Sequence, residues 1–142
     1  MRFMIIRMAD KSTEAGVLPN QELLAAMGQY MEDMSNAGIL LAGEGLQPSS
    51  KGARVKFSHG RPTVMDGPFA EAKELIAGFS MIQVKSKEEA IEWVKRWPVL
   101  DGDGAVEIEI RQVFEAEDFG EEFTPELRKQ EERLREGAAK RQ

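Results

Sequence analysis

Cysteine is absent from this chain, and histidine and tyrosine occur once each. Without a thiol there is no disulfide, no cysteine nucleophile and no thiolate metal site. That usage fits a reducing compartment, and a cytoplasmic location is the expectation. The lone histidine, His59, has no carboxylates at ligand spacing around it, so no metal centre is expected. Apolar runs extend only a few residues, far short of the roughly 20 a membrane helix needs. The N-terminus opens directly on a strand-like run and lacks a signal-peptide layout. Positive charge is also scarce. Lys and Arg number 19 against 25 Asp and Glu, a net charge of −6. Nucleic-acid binding relies on Lys/Arg clusters, so that partner class is set aside. "GEGL" at 43–46 lacks the following Lys-Ser/Thr of a phosphate loop, and nothing presents a nucleophile elbow. No cofactor is expected.

What is present is a regular alternation of elements. The length, 142 residues, suits one domain able to bury its own core. "RFMIIRM" (2–8) reads as a mostly buried strand, and "KSTEAGVLP" (11–19) as a loop. Asn20 caps a helix whose apolar face is Leu23, Met27, Tyr30, Met31 and Met34, with Gly38 ending it. "ILLAGEGL" (39–46) is a second strand. "ARVKF" and "RPTVM" flank Ser58-His59-Gly60 as a hairpin. "LIAGFSMIQV" (75–84) is apolar on both phases and reads as a central strand. Ser86 and Glu89 cap a second helix, buried through Ala90, Ile91, Val94 and Trp97 and stopped by Pro98. "AVEIEIRQV" (105–113) alternates as a half-buried strand. The order β-α-β, hairpin, β-α-β predicts an α+β fold. It is a ferredoxin-like βαββαβ plan with an inserted hairpin and both helices on one face of an antiparallel sheet. The other face needs a cover, from the C-terminal segment or a second subunit, and a homodimer is expected. Residues 1–115 form the domain. Residues 116–142 form a charged extension with a helix starting at Thr124-Pro125, expected to be exposed, frayed or laid along a partner subunit, and with disorder expected at "GAAKRQ".

The candidate chemistry centres on "DGPF" (66–69). Gly67 tolerates the backbone shape that a following proline imposes, and Pro68 fixes its own φ. Asp66 is then either an Asx-turn residue bonded to its own backbone or a carboxylate held beside a pocket as base or anchor. Phe69 anchors the turn. If the next segment is helical, Glu71 and Glu74 share a face; if it is extended, Glu71 and Lys73 do. Glu44, between Gly43 and Gly45, either sits solvated on a bulge or points into a cleft between sheet and helix. Arg7 and Tyr30 are candidates to add a cation and a hydroxyl to that cleft, against the alternative of ordinary packing.

Taken together, "MRFMIIRMAD", "AAMGQYMEDMSNAGILLAGEGLQP", "VMDGPFAEAKELIAGFSMIQVKSKEEAIEWVKRWP" and "VEIEIRQVFE" resemble the YCII-related proteins, and within them the DGPF-domain branch. The likeness covers about residues 1–115. It implies a dimeric α+β barrel in which two ferredoxin-like sheets pack face to face, with a small cleft in each subunit. The wider family carries a His–Asp pair proposed as a catalytic dyad. Those positions fall here on Met27 and Trp97, both apolar, so the dyad is missing.

The resulting expectation is a cofactor-independent enzyme of isomerase or lyase type. It binds a small cyclic or carbonyl compound in the subunit cleft and moves a proton. Asp66 and Glu44 are the candidate catalytic carboxylates, with Arg7, Tyr30, Phe69, Glu71 and Lys73 as ligand-binding residues. The alternative is a non-catalytic dimeric module that senses a ligand or docks a partner through its tail.

Overall fold

The structure, a computed structural model, describes residues 1–141. The chain forms two compact units, Met1–Gln112 and Val113–Gln142. In the first, strand β1 (Arg2–Met8) lies at the centre of a four-stranded sheet. Its neighbours are β5 (Ile76–Gln83) and β6 (Ile108–Gln112), and β2 (Leu40–Gly45) pairs with the far edge of β5. The order is β2-β5-β1-β6 with every neighbouring pair antiparallel, which is the ferredoxin-like arrangement. Helix α2 (Gln21–Asn36) links β1 to β2, and α3 (Lys87–Val94) links β5 to β6.

Alternation along the strands decides which face is core. Phe3, Ile5 and Arg7 of β1 and Gly78, Ser80 and Ile82 of β5 are buried, and they are cross-strand partners. Tyr30 and Met34 of α2 and Ala90 of α3 join Phe3, Ile5, Ile39, Ile82 and Val84 in one cluster. Each of its larger side chains contributes about 1.5–3 kcal/mol by leaving water. The opposite face carries Met4, Ile6, Met8, Phe79 and Met81, all half-buried.

The segment expected as a loop over 11–19 contains a helix of four residues, α1 (Lys11–Glu14). The reason is local. Thr13 N–H donates to Asp10 Oδ1, and Asp10 N–H donates to Thr13 Oγ1, both at 2.9 Å. This reciprocal cap holds a turn that periodicity cannot announce. Asn20 caps α2 through Leu23 N–H, and Ala37 and Gly38 close it, Gly38 at φ 75°. Ser86 caps α3 through Glu89 N–H, while the Glu89 carboxylate accepts from Lys85 N–H. Helix α3 stops at Val94, so Trp97 lies in the turn beyond it. Strand β6 begins at Ile108 rather than 105, because its partner β1 ends at Met8 and the last pair of the ladder is Arg7–Ile108.

The hairpin β3 (Ala53–Ser58) and β4 (Arg61–Asp66) forms a separate two-stranded sheet, turned by His59 at φ 50° and Gly60 at φ 77°. Beyond it the Gly67–Pro68 bond is cis. Gly67 N–H donates to Gly52 at 3.0 Å. Ser49 receives Phe69 N–H on its hydroxyl at 3.0 Å and donates that hydroxyl to Glu14. Arg54 lies 4.0 Å above the Phe69 ring.

In the second unit, Phe114 stacks on Phe119 at 4.9 Å, and Phe119 meets Phe123 at 5.5 Å. Thr124 caps helix α4 (Pro125–Lys140), whose Leu127 and Leu134 are exposed. The helix runs through Lys140, and Gln142, the last residue of "GAAKRQ", lies outside the described residues. Among the described residues no helix is long and apolar enough to cross a membrane.

A Cβ on Gly67 would lie 1.7 Å from the Ser49 carbonyl oxygen, whereas one on Gly45 meets nothing within 4 Å. Gly67→Ala is expected to destabilise by about 1–3 kcal/mol through forced displacement of backbone, and Gly45→Ala by less than about 0.5 kcal/mol. Urea melts of the two variants check the contrast; equal losses would refute the close approach at Gly67.

Candidate functional site

Three glycines hollow out the helix side of the sheet. Gly43, Gly45 and Gly78 share that face with Ser80 and Arg7, through the pairs Gly43–Ser80, Gly45–Gly78 and Arg7–Gly78. Met31 of α2 reaches over Gly43, where a Cβ would meet its methyl group at 2.4 Å. Nothing stands over Gly45. The space left is an open cleft of about 1310 Å³. Its walls come from the α1–α2 segment, the end of β2 with residues 46–48, the start of β5, and the turn after α3. A shallower depression of about 480 Å³ runs along α4 among Glu126, Lys129, Glu132, Arg133 and Glu136, a solvated charged face.

A charged cluster lines the larger cleft. Arg7 is only 8% exposed and Asp101 9%. Arg7 Nε donates to Asp101 Oδ2 at 3.0 Å and Nη2 to Oδ1 at 2.7 Å, a two-pronged grip. Arg7 Nη1 donates to the Met8 carbonyl at 2.8 Å and to Asp10 Oδ2 at 3.2 Å. Trp97 Nε1 donates to Asp101 Oδ2 at 2.9 Å. The hydrogen bond to Asp101 raises the Arg7 guanidinium further, against burial. Burial alone pushes the Asp101 carboxyl up, but the bonds from Arg7 and Trp97 outweigh it and hold it below its usual range. The Thr13 N–H, aided by Arg7, holds Asp10 low against a smaller opposing effect of burial. All three groups are therefore charged at neutral pH.

Asp10 differs from Asp101 in access, because its side chain is 38% exposed. Ser80, 4% exposed, lines the cleft, and its hydroxyl makes no hydrogen bond among the described residues. Among those residues no buried side-chain polar atom lacks a partner, so the hydroxyl is not sealed off from the cleft.

The residues expected to matter are dispersed. Arg7 is in the cluster. Tyr30 sits in the core, its hydroxyl donating to the Trp93 carbonyl at 2.7 Å and its ring edge-on to Trp97 at 5.6 Å. Burial pushes its phenol up to about 12. Glu44 stands opposite Phe79, on the sheet face away from Arg7 and Ser80, and gives the cleft rim its backbone. Asp66 ends β4 with its side chain exposed and, among the described residues, accepts no hydrogen bond. Phe69, Glu71 and Lys73 follow it outside the cleft lining, with Glu71 exposed at φ 62°. The positions aligned with the missing dyad, Met27 and Trp97, both line the cleft. Asp10 and Asp101 escaped the sequence reading. Their available signals were a loop-entry Asp before Thr13 and the "DGDG" run at 101–104, whose residue types tolerate left-handed backbone. Among the described residues no group of histidine and carboxylates is arranged to hold a metal ion.

Removing one partner of the buried pair should be severe. Asp101→Ala is expected to cost about 3 kcal/mol at pH 7 by removing the two-pronged partner of Arg7 and leaving its buried charge with only the longer contact to Asp10. The Asp101 carboxyl lies below its unfolded value of about 3.9, so its contribution is complete above that pH and is lost as pH falls further. The gap between wild type and variant in denaturant melts should therefore shrink below about pH 4. A gap independent of pH would refute the ion pair as its source.

A family model described as the YCII-related domain matches residues 1–117. An uncharacterised protein of Rhizobium meliloti (strain 1021), R00369, is 37% identical over 75 residues. That match spans 53% of this chain and 57% of the relative, so the chain covers just over half of that protein's length. Among solved structures, the 5-chloro-2-hydroxyhydroquinone dehydrochlorinase TftG from Burkholderia phenoliruptrix AC1100, in complex with 2,5-dihydroxybenzoquinone, aligns with a TM-score of 0.43 at 18% identity. The alignment covers 81% of this chain and 96% of that one. With the family's domain spanning the whole sheet and both helices that cover it, the chain belongs to the YCII-related family.

Proposed function

We propose that this chain is a cytoplasmic, cofactor-independent enzyme that moves a proton on a small cyclic compound bearing hydroxyl or carbonyl groups. The observation that carries this reading is Asp10. It is ionised, accessible, and held by Thr13 and Arg7 at the edge of a cleft floored by glycine. A ring C–H beside a carbonyl transfers its proton to the Asp10 carboxylate, and the C–H electrons move onto the carbonyl oxygen as an enolate. The fixed positive charge of Arg7 stabilises that oxygen. The proton returns at another ring atom in an isomerisation, or a neighbouring leaving group departs in an elimination. In this reading Asp10 takes the catalytic role expected from the sequence for Asp66 and Glu44. Phe69, Glu71 and Lys73 support the corner outside the cleft.

Asn is as good a helix cap as Asp, so Asp10→Asn removes the charge and keeps α1. Exchange of ring protons for deuterium by small cyclic ketones and enones, followed by NMR, is the direct assay. Wild type should catalyse exchange of at least one compound, and Asp10→Asn should slow it by about 100-fold or more. No exchange by wild type, or an unchanged rate in the variant, refutes the catalytic role. One observation favours the second reading, a ligand-sensing module: a carboxyl held below its usual range is a weak base. Binding without exchange in the same samples would select it.

The assembly we infer is a homodimer built on the second sheet face. Met4, Ile6, Met8, Phe79 and Met81 give that face a row of apolar side chains suited to an identical mate. Sedimentation should give twice the 15.9 kDa of one chain, and Ile6→Arg should halve it. A monomeric wild type refutes the assembly.

A further inference from the structure

The cleft carries a charge signature that narrows what it can hold. Its lining has two cations, Arg7 and Lys51, against five acidic residues, Asp10, Glu22, Glu44, Asp101 and Asp103. The usual way to bind a carboxylate or phosphate is a guanidinium presenting two parallel N–H groups. Arg7 cannot do this. Its Nε gives one N–H to Asp101, Nη2 gives another, and Nη1 gives two, to Met8 and Asp10. Four of the five N–H groups of an arginine are thus committed within the chain. A single donor remains, beside an ionised Asp10 that repels an anion.

The same geometry welcomes hydrogen-bond donors. Asp10 Oδ1 and Oδ2 each accept one bond from the chain, and an ionised carboxylate has roughly four acceptor sites. Deeper in, Ser80 offers a hydroxyl that nothing among the described residues engages, on the floor beside Gly43 and Gly78. The lining also includes the apolar, polarisable side chains of Met27, Met31 and Trp97. Thioether and indole surfaces pack well against flat rings, and an indole face also attracts cations.

We propose that the cleft selects neutral or cationic ring compounds and rejects anionic ones, with a hydroxyl or ammonium group of the ligand donating to Asp10 and a second polar substituent bonded to Ser80. This rests on the reading of the cleft as the ligand site. It does not rest on proton transfer, which can fail alone.

Three ring-matched probes test it by isothermal titration at pH 7: 2-naphthol, 2-naphthylmethylamine as its ammonium ion, and 2-naphthoate. The naphthol and the ammonium compound should bind saturably, and the naphthoate at least about tenfold more weakly than either, 1.4 kcal/mol per tenfold. Asp10→Asn should erase most of that gap in samples whose circular dichroism matches that of the wild type. Bifunctional 2,6-dihydroxynaphthalene should bind more tightly than naphthol in wild type and lose that advantage in Ser80→Ala. Several outcomes overturn the proposal: naphthoate binding as tightly as the other two, a gap that survives Asp10→Asn, or no saturable binding of naphthol and the ammonium compound. If the affinity order holds and no proton exchange is seen, only the catalytic reading falls.

Discussion

A guanidinium set in the central strand of a sheet must be neutralised where it stands. Arg7 faces the helices in the row below Phe3 and Ile5, and its charge is met by Asp101, 94 residues further along the chain. Desolvating both ions is expensive, and a pair of this kind persists only when the remaining hydrogen-bonding capacity is also filled. Here Met8, Asp10 and Trp97 fill it. The pair therefore does more than offset itself. It pins the turn after α3 against β1 and fixes Asp10 at the cleft edge. Through Trp97, edge-on to Tyr30, it joins the charged cluster to the hydrophobic core. Tyr30 completes the path by holding the last turn of α3 through the Trp93 carbonyl. Polar and apolar cohesion share one set of residues.

The cleft exists because side chains are missing. A sheet face packed by helices would normally fill with Val, Ile and Leu. At Gly45 and Gly78 it does not, and α2 compensates only over Gly43, where Met31 reaches down. A core that omits volume gives up dispersion contacts around the void. The omission lies beside the buried Arg7–Asp101 ion pair and the disengaged hydroxyl of Ser80. Void, charge and free polar group coincide, which random packing defects have no reason to do.

Strand and helix assignments were legible because alternation and caps are local. β1, β5 and the apolar stripe of α2 announce themselves within a few residues, and Ser86, Asn20 and Thr124 mark the helix starts directly. The site was less legible. Arg7 could be suspected as an odd charge in an apolar strand, but its partner could not, since a long-range pair leaves no periodic trace. Glu44 was drawn toward the cleft by its flanking glycines. Strand parity sends it the other way: if Gly43 and Gly45 face the helices, the residue between them cannot. Asp66 stands out in the sequence because "DGPF" is rigid. Rigidity is visible in a sequence, but what a rigid corner leans on is not.

That corner leans on Ser49, and Ser49 leans on Glu14. Helix α1 has four residues, none fully buried, so packing contributes little to its position. It stays in place through side-chain bonds at its two ends. At one end Asp10 is tied to Thr13 and Arg7, and at the other Glu14 grips both the backbone and the hydroxyl of Ser49. Pro48 and Lys51, which flank Ser49, border the cleft, and Asp10 borders it from the other side. The tight approach of Gly67 to Ser49 thus sets the position of one cleft wall relative to the carboxylate on the other. A two-residue turn between β4 and β5 could reverse the chain, but it would supply no buttress for Ser49. The longer junction is what lets a hairpin outside the main sheet hold the cleft in register with Asp10.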